Sequence, residues 1–138
     1  MLGSKILVGY DGAELSNRAL QTALTQLRDH PQITVDVLYV EEVAKLSNGV
    51  EVLDDNVQQH NDSLFTQLQH KVQDSSARVH LHRLSGQNTS YVLLRFAEEH
   101  NNDLIIVGSR GLTGIREFLG SVSHAVVQHS LVPVLIVK

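Results

Sequence analysis

Hydrophobic positions along the chain fall into two kinds of run. Short segments rich in β-branched or other apolar residues occur at Lys5–Tyr10, Ile33–Val40, Leu104–Gly108 and Val134–Val137, and they predict strands. A fifth, Ala77–Leu84, alternates apolar and polar positions. Near-continuous apolar runs are what a parallel sheet covered by helices on both faces requires, whereas alternation marks an edge. Between the strands, apolar positions recur every three or four residues. The stripes are Leu20, Ala23, Leu24 and Leu27; Val57, Asn61, Leu64, Phe65, Leu68 and Val72; Val92, Leu93, Phe96 and Ala97; and Val122, Ala125, Val126 and His129. Each predicts a helix that turns one face to a core. The resulting β-α-β-α-β-α-β-α-β alternation predicts a single α/β domain over residues 1–138, a doubly wound five-stranded parallel sheet with helices on both faces.

Pro31 and Pro133 stand where helices give way to strands. No internal repeat, low-complexity tract or proline-rich linker interrupts the chain. Glu41–Asp55 is the exception to the pattern, a polar, irregular stretch around Ser47-Asn48-Gly49 that is longer than a usual connection. It is the segment expected to move most. The longest apolar stretches, Leu104–Val107 and Leu131–Val137, fall far short of the ~20 residues that cross a bilayer. The start, Met1-Leu2-Gly3-Ser4-Lys5, lacks the apolar core of a signal peptide. The expectation is a cytoplasmic protein with no membrane partner.

Composition narrows the chemistry. Apolar residues make up 42% of the 138 and charged residues 19%, as in an ordinary globular protein. A formal charge of −4 argues against nucleic acid as a partner. The absence of cysteine removes disulfides, thiolate metal sites and thiol catalysis. Eight histidines are present, with His80 and His82 on one face of a strand and His124 and His129 on the last helix. None sits in a His-x3-His or His-Glu-x2-His pattern, so no metal site is expected.

Two strand ends carry unusual loops. Val8-Gly9-Tyr10-Asp11-Gly12 puts a carboxylate at the C-terminal edge of the sheet, where ligands of open α/β folds bind. Asp11 can equally shape the turn or cap the next helix, as Asp-Gly pairs do. After the fourth strand, Gly108-Ser109-Arg110-Gly111 is followed by Gly120-Ser121 at the start of a helix. Glycines allow close backbone approach, and free N–H groups at a helix N-terminus attract phosphate oxygens. Ser121 and Ser123 add hydroxyls, and Arg110 a charged fork. No lysine precedes Ser121, so this is not a P-loop, and Ser109 lacks the G-x-S-x-G surroundings of a hydrolase nucleophile. Glu41 and Glu42 are adjacent and point apart on a strand; they read as a solvated rim or as helpers for a metal–nucleotide complex.

With these residues in view, the chain resembles the universal stress protein family, whose nucleotide-binding members carry G-x2-G-x9-G-[S/T] after the fourth strand. Gly108, Gly111, Gly120 and Ser121 match, although Leu112–Leu119 supplies eight residues where the family pattern has nine. The likeness also runs through Ile6-Leu7-Val8-Gly9-Tyr10-Asp11-Gly12, Phe96-Ala97-Glu98-Glu99-His100 and Pro133-Val134-Leu135-Ile136-Val137. It implies strand order 3-2-1-4-5 in an adenine nucleotide alpha hydrolase-like fold. It also implies ATP or AMP as ligand, with Mg²⁺ carried by the phosphates. Asp11, next to Tyr10, would meet the ribose or adenine, and Val40 would line the adenine pocket. Gly108, Gly111, Gly120, Ser121 and Val122, joined by Arg110 and Ser123, would hold ribose and phosphates. A homodimer would form through the edge at residues 132–137. Three functions follow in order: a nucleotide-dependent stress-response module without dedicated catalysis, an interaction dimer of the same fold that binds no nucleotide, and a slow nucleotide hydrolase using Glu41 or Glu42. The short loop bears directly on where Gly120 and Ser121 sit relative to the phosphates.

Overall fold

The structure is a computed structural model, and it describes residues 3–45, 51–52, 55–75, 77–110 and 119–138. In chain order the elements are β1 (Lys5–Tyr10), α1 (Glu14–Asp29), β2 (Thr34–Glu42), β3 (Ala44–Lys45), β4 (Glu51–Val52), α2 (Asp55–Val72), β5 (Val79–Gly86), α3 (Thr89–Glu99), β6 (Leu104–Gly108), α4 (Ser121–His129) and β7 (Val134–Val137). The main sheet runs β5-β2-β1-β6-β7 with every neighbour parallel. Counting only its own strands, this is the order 3-2-1-4-5, and the alternating strand, β5, does lie at an edge.

Side chains alternate across the strands and so build two cores. On one face Ile6, Val8, Val35, Val37 and Ile106 meet Ala19, Leu20, Ala23 and Leu27 of α1 and Leu68 and Val72 of α2. On the other, Leu7, Leu38, Ile105 and Val107 meet Leu93, Phe96 and Ala97 of α3 and Val126 of α4.

Three boundaries differ from the sequence expectation, each for a physical reason. β2 runs past Val40 to Glu42, because Glu41 and Glu42 stay in register with Ser85 and Gly86 and the Glu41 charge is met by Arg83. β5 is displaced toward the C-terminus for the same pairing, spanning Val79–Gly86 rather than Ala77–Leu84. Within the stretch expected to be irregular, β3 and β4 form a short antiparallel ladder, Ala44 with Val52 and Lys45 with Glu51; residues 46–50 and 53–54 lie outside the described residues. The α2 stripe is also less buried than its spacing suggests: Asn61, Leu68 and Val72 are buried, while Val57 is exposed.

The N-terminal edge of the sheet is closed by polar clamps. Asp103 accepts hydrogen bonds from the Ser4 N–H at 3.0 Å, the Ser4 hydroxyl at 2.8 Å and the Lys5 N–H at 2.9 Å, tying the start of β1 to β6. Burial pushes the Asp103 carboxyl up, but these bonds outweigh it and hold the group below its usual range. Arg78 donates to the carbonyls of Leu27 (2.6 Å) and His30 (3.0 Å), satisfying orphan groups at the end of α1. Asp36, buried inside β2, is held by Asn102 Nδ2 and His82 Nε2, both at 2.9 Å. The opposite, C-terminal edge is where the sheet opens.

Candidate functional site

At that open edge β1 lies between β2 and β6, so connections leave in opposite directions on its two sides and part to form a crevice. A cavity of about 450 Å³ occupies it. Its floor is the strand ends, Gly9 to Asp11, Leu38 to Glu42, and Val107 and Gly108. One wall is the first half of α2, through Val57, His60, Asn61 and Leu64. The other is formed by Thr89 and Leu93 of α3 and by Gly120, Ser121, Val122 and Ser123 at the start of α4. Arg110 lies at the rim, and Asp11 and Ser16 complete the lining. The structure thus gathers nine of the sequence-derived candidates, Tyr10, Asp11, Val40, Gly108, Arg110, Gly120, Ser121, Val122 and Ser123, around one space. Gly111 and residues 112–118 lie outside the described residues.

The details redistribute their roles. Asp11 does shape a turn: its Oδ1 accepts from the Ala13 N–H at 2.9 Å, with Gly12 at φ 84° between them. Ser16 braces the same turn, receiving the Asp11 N–H at 3.3 Å and donating to the Ala13 carbonyl at 2.9 Å. The turn fixes the carboxylate at the cavity lining. Tyr10 belongs to the α1–α2 core, its hydroxyl 3.5 Å from Lys71 Nζ; burial, and then the Asp11 charge, push its phenol above the usual range. Gly108 has a packing reason independent of any ligand. A Cβ there would sit 2.8 Å from Leu15 Cβ and 3.0 Å from the Leu15 carbonyl carbon, so α1 closes onto β6 only over a glycine.

Past Gly108, the loop is drawn together at its neck. The Ser109 N–H donates to the Val137 carbonyl at 2.8 Å, and the Ser109 carbonyl accepts from the Gly120 N–H at 2.7 Å. Ser123, almost wholly buried, donates its hydroxyl to the same Ser109 carbonyl at 2.7 Å. Two donors that the sequence offered to a phosphate, the Ser123 hydroxyl and the Gly120 amide, are therefore committed to closing the loop. Gly120 itself, at φ −66°, is the N-cap of α4 and provides no side-chain cap, so Ser121 is the first helical residue rather than a cap. The first amide of α4 with a carbonyl partner is that of His124, bonded to Gly120 at 2.9 Å. Among the described residues the N–H groups of Ser121, Val122 and Ser123 have no carbonyl partner, and they form the positive end of the helix dipole at the cavity wall.

Sequence reasoning missed the polar wall on the α2 side. Glu41 is buried, not a solvated rim, and pairs with Arg83 Nε. Arg83 also donates to Asp62 on α2 at 2.5 Å, and this bond foremost raises the guanidinium pKa. Tyr39 donates its hydroxyl to Asn61 Oδ1 at 2.6 Å; burial, then the Glu41 charge, raise its phenol pKa. Glu42 accepts from the Thr89 hydroxyl at 2.7 Å. The signal available in the sequence was an asparagine inside an apolar helical stripe. Among the described residues no group of three or more histidine and carboxylate side chains could hold a metal ion, and no helix is long and apolar enough to cross a membrane.

Comparison with known proteins agrees with this geometry. Residues 4–138 match the Universal stress protein family. Universal stress protein YxiE of Bacillus subtilis is 29% identical over 148 aligned positions, which cover 98% of this chain and 99% of that protein. Among solved structures, the universal stress protein UspA from Lactobacillus plantarum superposes with a TM-score of 0.76 at 19% identity, over 98% of this chain and 97% of that one. A universal stress protein solved in complex with cAMP gives 0.65 at 22% identity, over 100% and 98% of the two chains. An Arabidopsis thaliana family member with AMP bound gives 0.66 at 18% identity, over 98% and 90%.

Proposed function

Because the chain belongs to the universal stress protein family, we propose that it binds an adenine nucleotide, AMP or ATP, in the crevice between β1, β2 and β6 and acts in a stress response through nucleotide-dependent contacts. The observation that carries this reading is the row of amides from Ser121 to Ser123, without a carbonyl partner among the described residues and opening on a cavity of about 450 Å³ whose far side holds Val40 and Asp11. The volume lies within the range of small-ligand sites, and the two ends differ in character as a nucleotide requires. Val40, Leu38, Leu93 and Val107 offer an apolar slot for the base. Asp11 offers a carboxylate to ribose hydroxyls. The α4 N-terminus, Ser121 and Arg110 offer donors and positive charge to phosphate.

Two solved relatives carry AMP and cAMP, which supports the adenine nucleotide class. With the Gly120 amide and the Ser123 hydroxyl committed, the described residues offer phosphate the three backbone amides of Ser121, Val122 and Ser123, a number suited to one phosphate group. Mg²⁺, when ATP is the ligand, travels on the phosphates. Glu41 is paired with Arg83 and Glu42 accepts from Thr89, so both acidic side chains have partners within the protein, and binding rather than hydrolysis is the role we assign. The half-buried edge strand β7, beside the almost fully exposed Leu131, is the surface through which two copies would pair. Native mass spectrometry of the purified protein, with acid extraction of its bound small molecules, is expected to find AMP or ATP at one per chain. A chain that purifies empty and stays empty in millimolar nucleotide would refute the reading.

A further inference from the structure

Helix α4 begins without the side chain that usually secures a helix start. The residue before its first turn is Gly120, extended at φ −66° and ψ 165°, which has no side-chain oxygen to offer the amides of that turn. A serine or aspartate there would steady the helix. It would also take the N–H of Val122 or Ser123, two of the residues that line the cavity. The chain secures α4 from outside instead. Ser123, in the first turn and 2% exposed, donates its hydroxyl to the Ser109 carbonyl at 2.7 Å, and the Gly120 N–H donates to the same oxygen at 2.7 Å. The Gly120 carbonyl lies farther from that hydroxyl, at 3.1 Å. Ser109 is itself fixed: it is buried, and its N–H donates to the Val137 carbonyl at 2.8 Å, extending the β6–β7 ladder past Gly108. The first turn of α4 is thus tied to the end of the sheet through one carbonyl.

The direction of these bonds decides what is left over. Both groups that hold α4 are donors aimed at Ser109, so neither occupies the N–H groups of Ser121, Val122 and Ser123, which have no carbonyl partner among the described residues. We propose that Ser123 is a positioning residue for the nucleotide phosphate: its hydroxyl anchors α4 in place of a capping side chain, fixing the three amides at the cavity wall while leaving them open to the ligand. This rests on the adenine nucleotide reading above. The Ser123 side chain itself makes no ligand contact in this arrangement, because its proton is spent on Ser109. Its effect on binding is one of preorganisation. Amides already held in place bind an anion without first being ordered, whereas a loosened first turn must be ordered at the expense of affinity. Loss of the hydroxyl therefore weakens the phosphate end and spares the base, which lies against Leu38, Val40, Leu93 and Val107.

The test compares full-length wild type with Ser123→Ala, Gly120→Ser and Gly120→Ala. AMP and adenosine are titrated into each, thermal midpoints are recorded, and exchange of the Gly120 N–H is followed by NMR without nucleotide. In Ser123→Ala the midpoint falls, Gly120 exchange quickens about fivefold, AMP affinity falls about fivefold and adenosine affinity by less than twofold. Gly120→Ser moves stability the other way: the new hydroxyl caps the helix and raises the midpoint, yet AMP again falls about fivefold because the cap competes for the amides. Gly120→Ala adds a methyl group without an acceptor and weakens AMP less than Gly120→Ser does. AMP and adenosine affinities that fall in parallel in Ser123→Ala would overturn the proposal, as would unchanged Gly120 exchange in that variant or undiminished AMP affinity in a stabilised Gly120→Ser. Wild type that binds adenosine as tightly as AMP overturns this proposal alone; wild type that binds neither overturns the nucleotide reading and the proposal with it.

Discussion

Replacing Gly108 with alanine separates two reasons for a glycine at the end of β6. If the residue served only to let a phosphate or ribose approach, a methyl group would cost nothing in the empty protein. The structure says otherwise. The added Cβ would lie 2.8 Å from Leu15 Cβ, 3.0 Å from the Leu15 carbonyl carbon and 3.2 Å from its oxygen. Two of these atoms are backbone of α1, which cannot swing aside as a flexible side chain would. Overpacking of this kind costs about 1–3 kcal/mol. For a chain of this length the unfolding entropy is about 0.3 kcal/mol/K, so the midpoint should drop by roughly 3–10 °C. Thermal unfolding followed by circular dichroism, in nucleotide-free buffer, measures this directly. Leu15→Ala in the same background is expected to give no rescue, since the clashing Cβ and backbone atoms remain. A Gly108→Ala protein that melts within about 1 °C of wild type would refute the packing argument and return the glycine to a purely ligand-facing role.

Other perturbations test other links. Asp103→Asn should lose about 1–3 kcal/mol at neutral pH, because a carboxylate accepting several N–H and O–H bonds becomes a weaker neutral acceptor. Since the folded Asp103 carboxyl titrates below its usual range, its contribution is present above about pH 4 and disappears as pH falls. Urea titrations from pH 7 to pH 2 should therefore show wild type and variant converging in acid. Ser123→Ala removes one of two donors to the Ser109 carbonyl and should cost about 1 kcal/mol, read by the same urea midpoint. Arg110→Gln should weaken AMP by about three- to tenfold while leaving adenosine binding unchanged, a split that calorimetry with the two ligands resolves.

Much of the fold was legible because its signals are strong and redundant. Continuous apolar runs at β1 and β6 and the stripes of α1 and α3 each point to one element, and their alternation leaves few topologies. What escaped were features set by pairing across the sheet. The strand through Val40 reads as ending at the acid pair, yet Glu41 continues the ladder because Arg83, forty-two residues later, neutralises it. Asn61 reads as an interruption of an apolar stripe, and only the position of Tyr39 reveals its partner. At the site, residue types located the crevice, since glycine, serine and aspartate at two strand ends have few other reasons to coincide. Their individual roles did not follow. Whether the Ser123 hydroxyl meets a ligand or the Ser109 carbonyl depends on how the loop neck closes, which spacing along the chain does not encode.

Calorimetric titration of AMP into the nucleotide-free protein tests the central claim most directly. The account predicts saturable one-to-one binding. At AMP one hundred times its dissociation constant, the stabilisation should be about 2.7 kcal/mol, which raises the melting midpoint by roughly 9 °C. Absence of both heat and thermal stabilisation at millimolar AMP and ATP would contradict it, and would leave the crevice without the ligand its geometry implies.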